Sequence, residues 1–167
     1  MHAQMVHAVH ADGRGHSGLH LTMGRGGMMN VSKNLGLVTL SSMETEVLAD
    51  GERFPKCAWF RYFRLAQGDV AKEDFLMQDN KSCILLHTNY PYSVGKGSKH
   101  ANIRCYFVVD KIDKKEAKIV CCPTEEMVAD FSSKPLQGKL FVAHRNAMLG
   151  VSVDEHKKYK EWHKEAL

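Results

Sequence analysis

Apolar and polar residues alternate through the first fifth of the chain, and the period then changes. Residues 4–10 alternate weakly and predict a first strand. DGRGHSG at 12–18 is rich in turn formers. LHLTMG at 19–24 alternates as a second strand should. After a Gly-rich turn at 24–27, MMNVSKN at 28–34 predicts a third. These pieces read as an antiparallel meander.

Helical spacing begins near Glu44. Ser41 and Ser42 are N-cap candidates. Val47, Leu48, Phe54, Ala58, Trp59, Tyr62, Phe63 and Ala66 supply an apolar stripe. Gly51 and Pro55 are expected to kink or split this helix, and Gly68 to stop it. Phe75–Asp79 predicts a short central strand ending on an acid, with a helix over 82–88 behind it. A loop is expected at 90–99 and a strand over Ala117–Cys122; 100–113 reads as helix or strand, with Ile103, Tyr106, Phe107 and Asp110 favouring helix. TEEMVADF then predicts a helix capped by Thr124 and broken by Pro135, and LQGKLFVAHRNAML predicts another. The pattern implies an α/β fold, a mixed sheet with helices on its faces. Residues 154–167 are charged, and helical or frayed.

With 167 residues, 44% hydrophobic and 25% charged, the chain fits one globular domain. A net charge of +4 permits a polyanionic partner without requiring one. No apolar run approaches the roughly 18 residues of a membrane span. Cys57, Cys83, Cys105, Cys121 and Cys122 are odd in number and form no CxxC pair. They read as reduced thiols of an intracellular protein, cytoplasmic or nuclear, and their spacing argues against a structural zinc site.

Three acids lie far apart in apolar segments: Glu46 in SSMETEVLA, Asp79 in MQDNKSCILL and Asp130 in PTEEMVADFSSKPLQGKL. Converging on one pocket, they would suit a divalent-cation site for phosphodiester hydrolysis. Taken singly, Asp79 could cap the helix behind it, Glu46 could be a solvated helix acid and Asp130 could cap a turn. Lys96, Lys99, Arg104, Lys111, Lys114, Lys115 and Lys118 make 96–118 basic, as a phosphate-binding or a merely solvated face. His2, His7, His10, His16 and His20 crowd the N-terminus and read as surface residues rather than metal ligands. Trp59, Tyr62 and Phe63 read as core rather than a stacking platform.

In order along the chain, AVHADGRGHSG, TMGRGG, TLSSMETEVLA, FPKCAWFRYFRLAQG, QDNKSCILLHTN, GSKHANIRCYFVVDKI and CCPTEEMVADFSSKPLQGKLF resemble segments of the ribonuclease H domain of copia-type LTR retrotransposon polyproteins. The resemblance covers residues 8–151. It implies a ribonuclease H-like fold over 1–151, with 152–167 as a charged tail. It also implies hydrolysis of the RNA strand of an RNA–DNA hybrid using two Mg²⁺ (or Mn²⁺) ions, and an accompanying reverse transcriptase domain. By motif position Glu46, Asp79 and Asp130 are the implied catalytic and metal-binding acids. Lys96, Lys99, His100 and Arg104 are the expected contacts to the hybrid, recognised by backbone shape and 2′-hydroxyls. The family's first aspartate falls at Gln4, a neutral residue, and Asp12 matches a different, non-catalytic aspartate. A truncated or degenerate first strand and impaired catalysis are therefore expected. The alternative is an inactive remnant acting at most as a nucleic-acid-binding or scaffold domain.

Overall fold

The structure is a computed structural model. It describes residues 1–9, 14–38, 42–70, 73–89 and 99–151, with residues 7, 9, 14, 36–38, 42–48, 99–102 and 104 described by backbone alone. The turn at 10–13, the Ser41 cap, Lys96 and the 152–167 tail lie outside the described residues.

Strands β1 (His2–Val9), β2 (Arg14–Thr22) and β3 (Gly27–Val38) form the expected meander. Helix α1 (Ser42–Ala66) leads to β4 (Asp74–Gln78), α2 (Lys81–Thr88), α3 (Lys99–Asp113) and β5 (Ala117–Cys121). Two 3-10 segments, Thr124–Glu126 and Val128–Ser132, precede α4 (Gly138–Leu149). The sheet runs β3-β2-β1-β4-β5. β1 pairs antiparallel with β2 over residues 2–9 and parallel with β4 through His2–Phe75, Ala3–Leu76 and Gln4–Met77. β5 extends the sheet parallel to β4.

The two-residue period of β1 sorts its side chains between two cores. Ala3 and Met5 join Leu19, Leu21 and Leu76 beneath Phe54 and Cys57 of α1 and Val108 of α3. Val6 turns to the opposite face and packs with Met77, Cys122, Met127 and Ala129. One face of the sheet thus carries α1 and α3, and the other carries the 122–132 segment.

Helix α1 continues through Gly51 and Pro55 as one helix, not the two that were the other expectation. Pro55 lacks the N–H that would bond to the carbonyl of Gly51, one turn earlier. Phe54, Cys57, Ala58 and Arg61 are all buried on one stripe, and that packing holds the helix together across the defect. The same stripe points Trp59, Tyr62 and Phe63 outward, 59%, 45% and 48% exposed, so these aromatics are not core. Instead Trp59 stacks on Phe63, and Lys111 lies over the Tyr62 ring. The helix expected from Thr124 is replaced by the two 3-10 segments, whose local bonds run from Glu126 N–H to the Pro123 carbonyl and from Asp130 N–H to that of Met127. The N-terminal histidines are also not uniformly superficial. His2 is buried against Phe75, and His20 is buried, hydrogen-bonded to the exposed Asn30, and titrates below its ordinary range because of its own burial.

Gly18 fixes how closely the 3-10 segment carrying Asp130 approaches the sheet. A Cβ there would lie 2.7 Å from the Ala129 carbonyl oxygen and 3.1 Å from Ser132 and Val6 side-chain atoms. Gly18→Ala is expected to cost about 1–3 kcal/mol through this overpacking, read as a lowered melting temperature. An unchanged melt would show that the segment yields freely and does not hold Asp130 in register.

Candidate active site

β4 ends at Gln78, and Asp79 follows on the side of the sheet that faces the 122–132 segment. Asp79 does not cap α2. Asn80 does so, its side chain accepting from the N–H groups of Ser82 at 2.9 Å and Cys83 at 3.2 Å. The Asp79 carboxylate is thereby left half-buried, and its Oδ2 accepts a 3.3 Å hydrogen bond from the Thr124 hydroxyl. Thr124, expected as a helix cap, serves this acid instead.

Asp130 is buried in the Val128–Ser132 segment. Burial raises its pKa, the Lys134 ammonium opposes that rise, and the Asp79 charge adds to it. Lys134 Nζ lies 2.9 Å from both carboxylate oxygens but is aligned as a hydrogen bond only to Oδ2. Oδ1 is buried with no hydrogen-bond partner among the described residues. Because the folded-state pKa lies above the unfolded one, the ionised carboxylate destabilises the fold increasingly as pH rises through the carboxylate range. A buried carboxylate oxygen that meets an ammonium without an aligned hydrogen bond suits a hard cation.

Gln4 occupies the expected first position, fully buried between these acids' segments. Its Oε1 accepts from the Ala129 N–H at 3.2 Å, and its Nε2 donates to the Glu126 carbonyl at 3.2 Å. Met77 Sδ lies 3.5 Å from the same nitrogen. The amide therefore bridges β1 to the Asp130 segment through one acceptor and one donor, a pairing that a carboxylate could not reproduce.

Glu46 lies on the first turns of α1, described by backbone alone. Lys99, His100 and Arg104 lie on α3, with side chains outside the described residues. The basic stretch is partly neutralised where it is described: Lys111 pairs with Glu116 and Lys114 with Asp110. Sequence reasoning missed two groups. Lys134 neutralises Asp130, and Glu126 adds negative charge at the same place. That charge is visible in Cys122, whose thiol is pushed up first by burial and then by Glu126, Asp79 and Asp130. The signal for both was proximity to Asp130 within a compact turn, which a helical reading of 124–134 concealed.

Comparison with known proteins gives a consistent result. No family model matches the chain. It is 28% identical over 118 residues to the "Retrovirus-related Pol polyprotein from transposon TNT 1-94" of Nicotiana tabacum, a match covering 71% of this chain but only 9% of that protein. The fold matches RNase H1 from the halophilic archaeon Halobacterium salinarum NRC-1, with TM-score 0.54 and 16% identity over 77% of this chain and 89% of that one. It also matches the N-terminal RNase H domain of rv2228c from Mycobacterium tuberculosis, with TM-score 0.53 and 10% identity over 87% and 96%. The chain has the ribonuclease H fold and is similar in sequence to a segment of a retrotransposon Pol polyprotein.

If Asp130 is a cation ligand, its balance with Lys134 is testable. Lys134→Met should lower metal-free stability by only about 1 kcal/mol, since Lys134 reaches solvent and the pair is partly screened. Added Mg²⁺ should then raise the melting temperature more in the variant than in the natural protein. Equal shifts would rule Asp130 out as a ligand.

Proposed function

We propose that this chain is the ribonuclease H domain of a copia-type retrotransposon polyprotein, acting on the RNA strand of RNA–DNA hybrids, with a catalytic site weakened at Gln4. The carrying observation is the buried Gln4 amide, set between the strand that leads to Asp79 and the segment that carries Asp130. Asp79 and Asp130, with Glu46 from α1, would hold Mg²⁺, which supplies charge neutralisation at the scissile phosphate and activation of the attacking water. The chain's own groups set the conditions for that binding. Thr124 orients the Asp79 carboxylate, and burial keeps the Asp130 oxygens poorly solvated. Lys134 holds a positive charge against Asp130, which lessens the repulsion between the acids.

A neutral amide in place of a carboxylate removes one negative charge from the set and weakens at least one cation position. Binding of the hybrid through its phosphates depends less on that position than turnover does. The second reading, a domain that binds nucleic acid without cleaving it, draws on the same observation. Lys96, Lys99, His100 and Arg104 are the proposed hybrid contacts under either reading. A reverse transcriptase domain is the proposed companion.

The test compares the natural chain with Gln4→Asp on a labelled RNA–DNA hybrid in Mg²⁺ and in Mn²⁺. Binding is expected in both, and cleavage is expected to be at least about 100-fold faster in Gln4→Asp, an effect of about 2.7 kcal/mol. The variant should also be less stable without metal by about 1–3 kcal/mol, because a carboxylate would face the Glu126 carbonyl without a proton to share. Full activity in the natural chain would overturn the weakened-site reading. Inactivity of a folded Gln4→Asp in both metals would overturn the site assignment.

A further inference from the structure

On the other face of the sheet, a second constellation of metal-ligating groups lies among α1, α2 and α3. Asp50, Cys83 and His87 are all buried, and their ligand atoms lie within 4.8 Å of one another. Asp50 Oδ2 is 3.2 Å from Cys83 Sγ and 3.2 Å from His87 Nε2. Cys83 and His87 are four residues apart on α2, so both project from one side of that helix toward Asp50 of α1. We propose that Asp50, Cys83 and His87 form a binding site for a single zinc ion, separate from the acidic site.

The donor chemistry points to zinc rather than magnesium. One thiolate, one imidazole and one carboxylate are the ligand types zinc takes, and three protein ligands leave its fourth position to a water. Magnesium would find one oxygen ligand and two poor ones. Coordination displaces the Cys83 thiol proton, and any proton on His87 Nε2, to solvent.

Groups around the three ligands are arranged as support for a metal site. Cys105 Sγ lies 3.5 Å from His87 Nδ1, on the far side of the imidazole ring, and constrains that ring. Gln78 Nε2 lies 3.3 Å from both Asp50 oxygens and 3.9 Å from Cys83 Sγ. Gln78 Oε1 receives the N–H groups of Asp79 at 2.9 Å and Asn80 at 3.3 Å. Through this one amide the metal position is tied to the backbone of Asp79. Asp50 also lies one helical turn after Glu46 on α1. An ion here would brace two of the three acids of the proposed catalytic site.

The experiment uses the full chain, reduced and freed of metal, titrated with Zn²⁺ and with Co²⁺ as a spectroscopic substitute. One equivalent of Zn²⁺ is expected to bind and raise the melting temperature, and Co²⁺ should give a thiolate-to-cobalt charge-transfer band. Cys83→Ser should abolish the band, whereas Cys121→Ser, at an exposed thiol, should keep it. Cys105→Ala should keep the stoichiometry with affinity roughly 10–100-fold lower. If the folded natural chain gives neither band nor thermal shift, the proposal is overturned. A band that survives in Cys83→Ser overturns it equally, since the thiolate would then come from elsewhere. None of these readouts uses hybrid cleavage, so this site stands or falls independently of the catalytic reading.

Discussion

The parallel pairing of β1 with β4 is the constraint on which the rest of the molecule depends. It sets Gln4 beside Met77 and so places the middle of β1 near the end of β4, where Asp79 begins the turn into α2. A parallel pair cannot be closed by a tight turn and needs a crossover. Here the connection passes through β2, β3 and the long helix α1, which must then pack on the sheet it has just crossed. Ala3 and Met5 supply the surface for that packing, and Val6 supplies the surface for the segment carrying Asp130. A one-residue slip of β1 would exchange these faces and disperse the site.

The electrostatics of the site follow from how little solvent that arrangement leaves. Asp130 is buried, and Asp79 and Glu126 add charge of the same sign nearby. Lys134 offsets part of the repulsion, and a neutral residue at position 4 removes another part. Without a cation, Gln4 is the more comfortable occupant, because its amide satisfies both the Ala129 N–H and the Glu126 carbonyl. With a cation, the same position favours a carboxylate. Under the proposed function, stability without metal and affinity for metal would therefore pull position 4 in opposite directions, and Gln4 would favour the former.

Much of the architecture was legible in the sequence because it rests on period. The meander, the β4 and β5 strands and helices α2, α3 and α4 all follow alternation or helical spacing, and the segment motifs pointed to the ribonuclease H fold that the structural matches share. Misreadings came where tertiary contacts overrule local preference. Packing of Phe54, Cys57 and Ala58 carries α1 through Pro55. The close approach at Gly18 accompanies 3-10 turns where TEEMVADF suggested an α-helix. The stripe on α1 was broader in sequence than in space, so Trp59, Tyr62 and Phe63 were assigned to a core they do not enter. Asp79 and Asp130 were singled out as candidates because each sits in a distinctive segment. Lys134 and Glu126 were not, because their roles depend on a turn that the spacing does not encode.

The Asp50–Cys83–His87 cluster shows the same limit from the other side. Counting cysteines argued against zinc, since no pair has ligand spacing along the chain. The ligands instead meet across α1 and α2, and only the Cys83–His87 interval is local. Three polar side chains in a fully buried position are costly unless each is satisfied. Asp50 alone receives Gln78, Cys83 and His87, a convergence of donors on one carboxylate. The imidazole is pulled down by burial yet held up at about 9 overall by Asp50 and Cys105. With His87 protonated, the metal-free cluster would be an ion pair sealed in the core, and such pairs rarely gain stability over well-packed apolar groups. Bound zinc would meet the same carboxylate with a divalent charge and engage the thiol as an anion, a stronger reason for these residues to be together. Gln78 would then link the metal position to the backbone N–H of Asp79, the residue just past the end of β4.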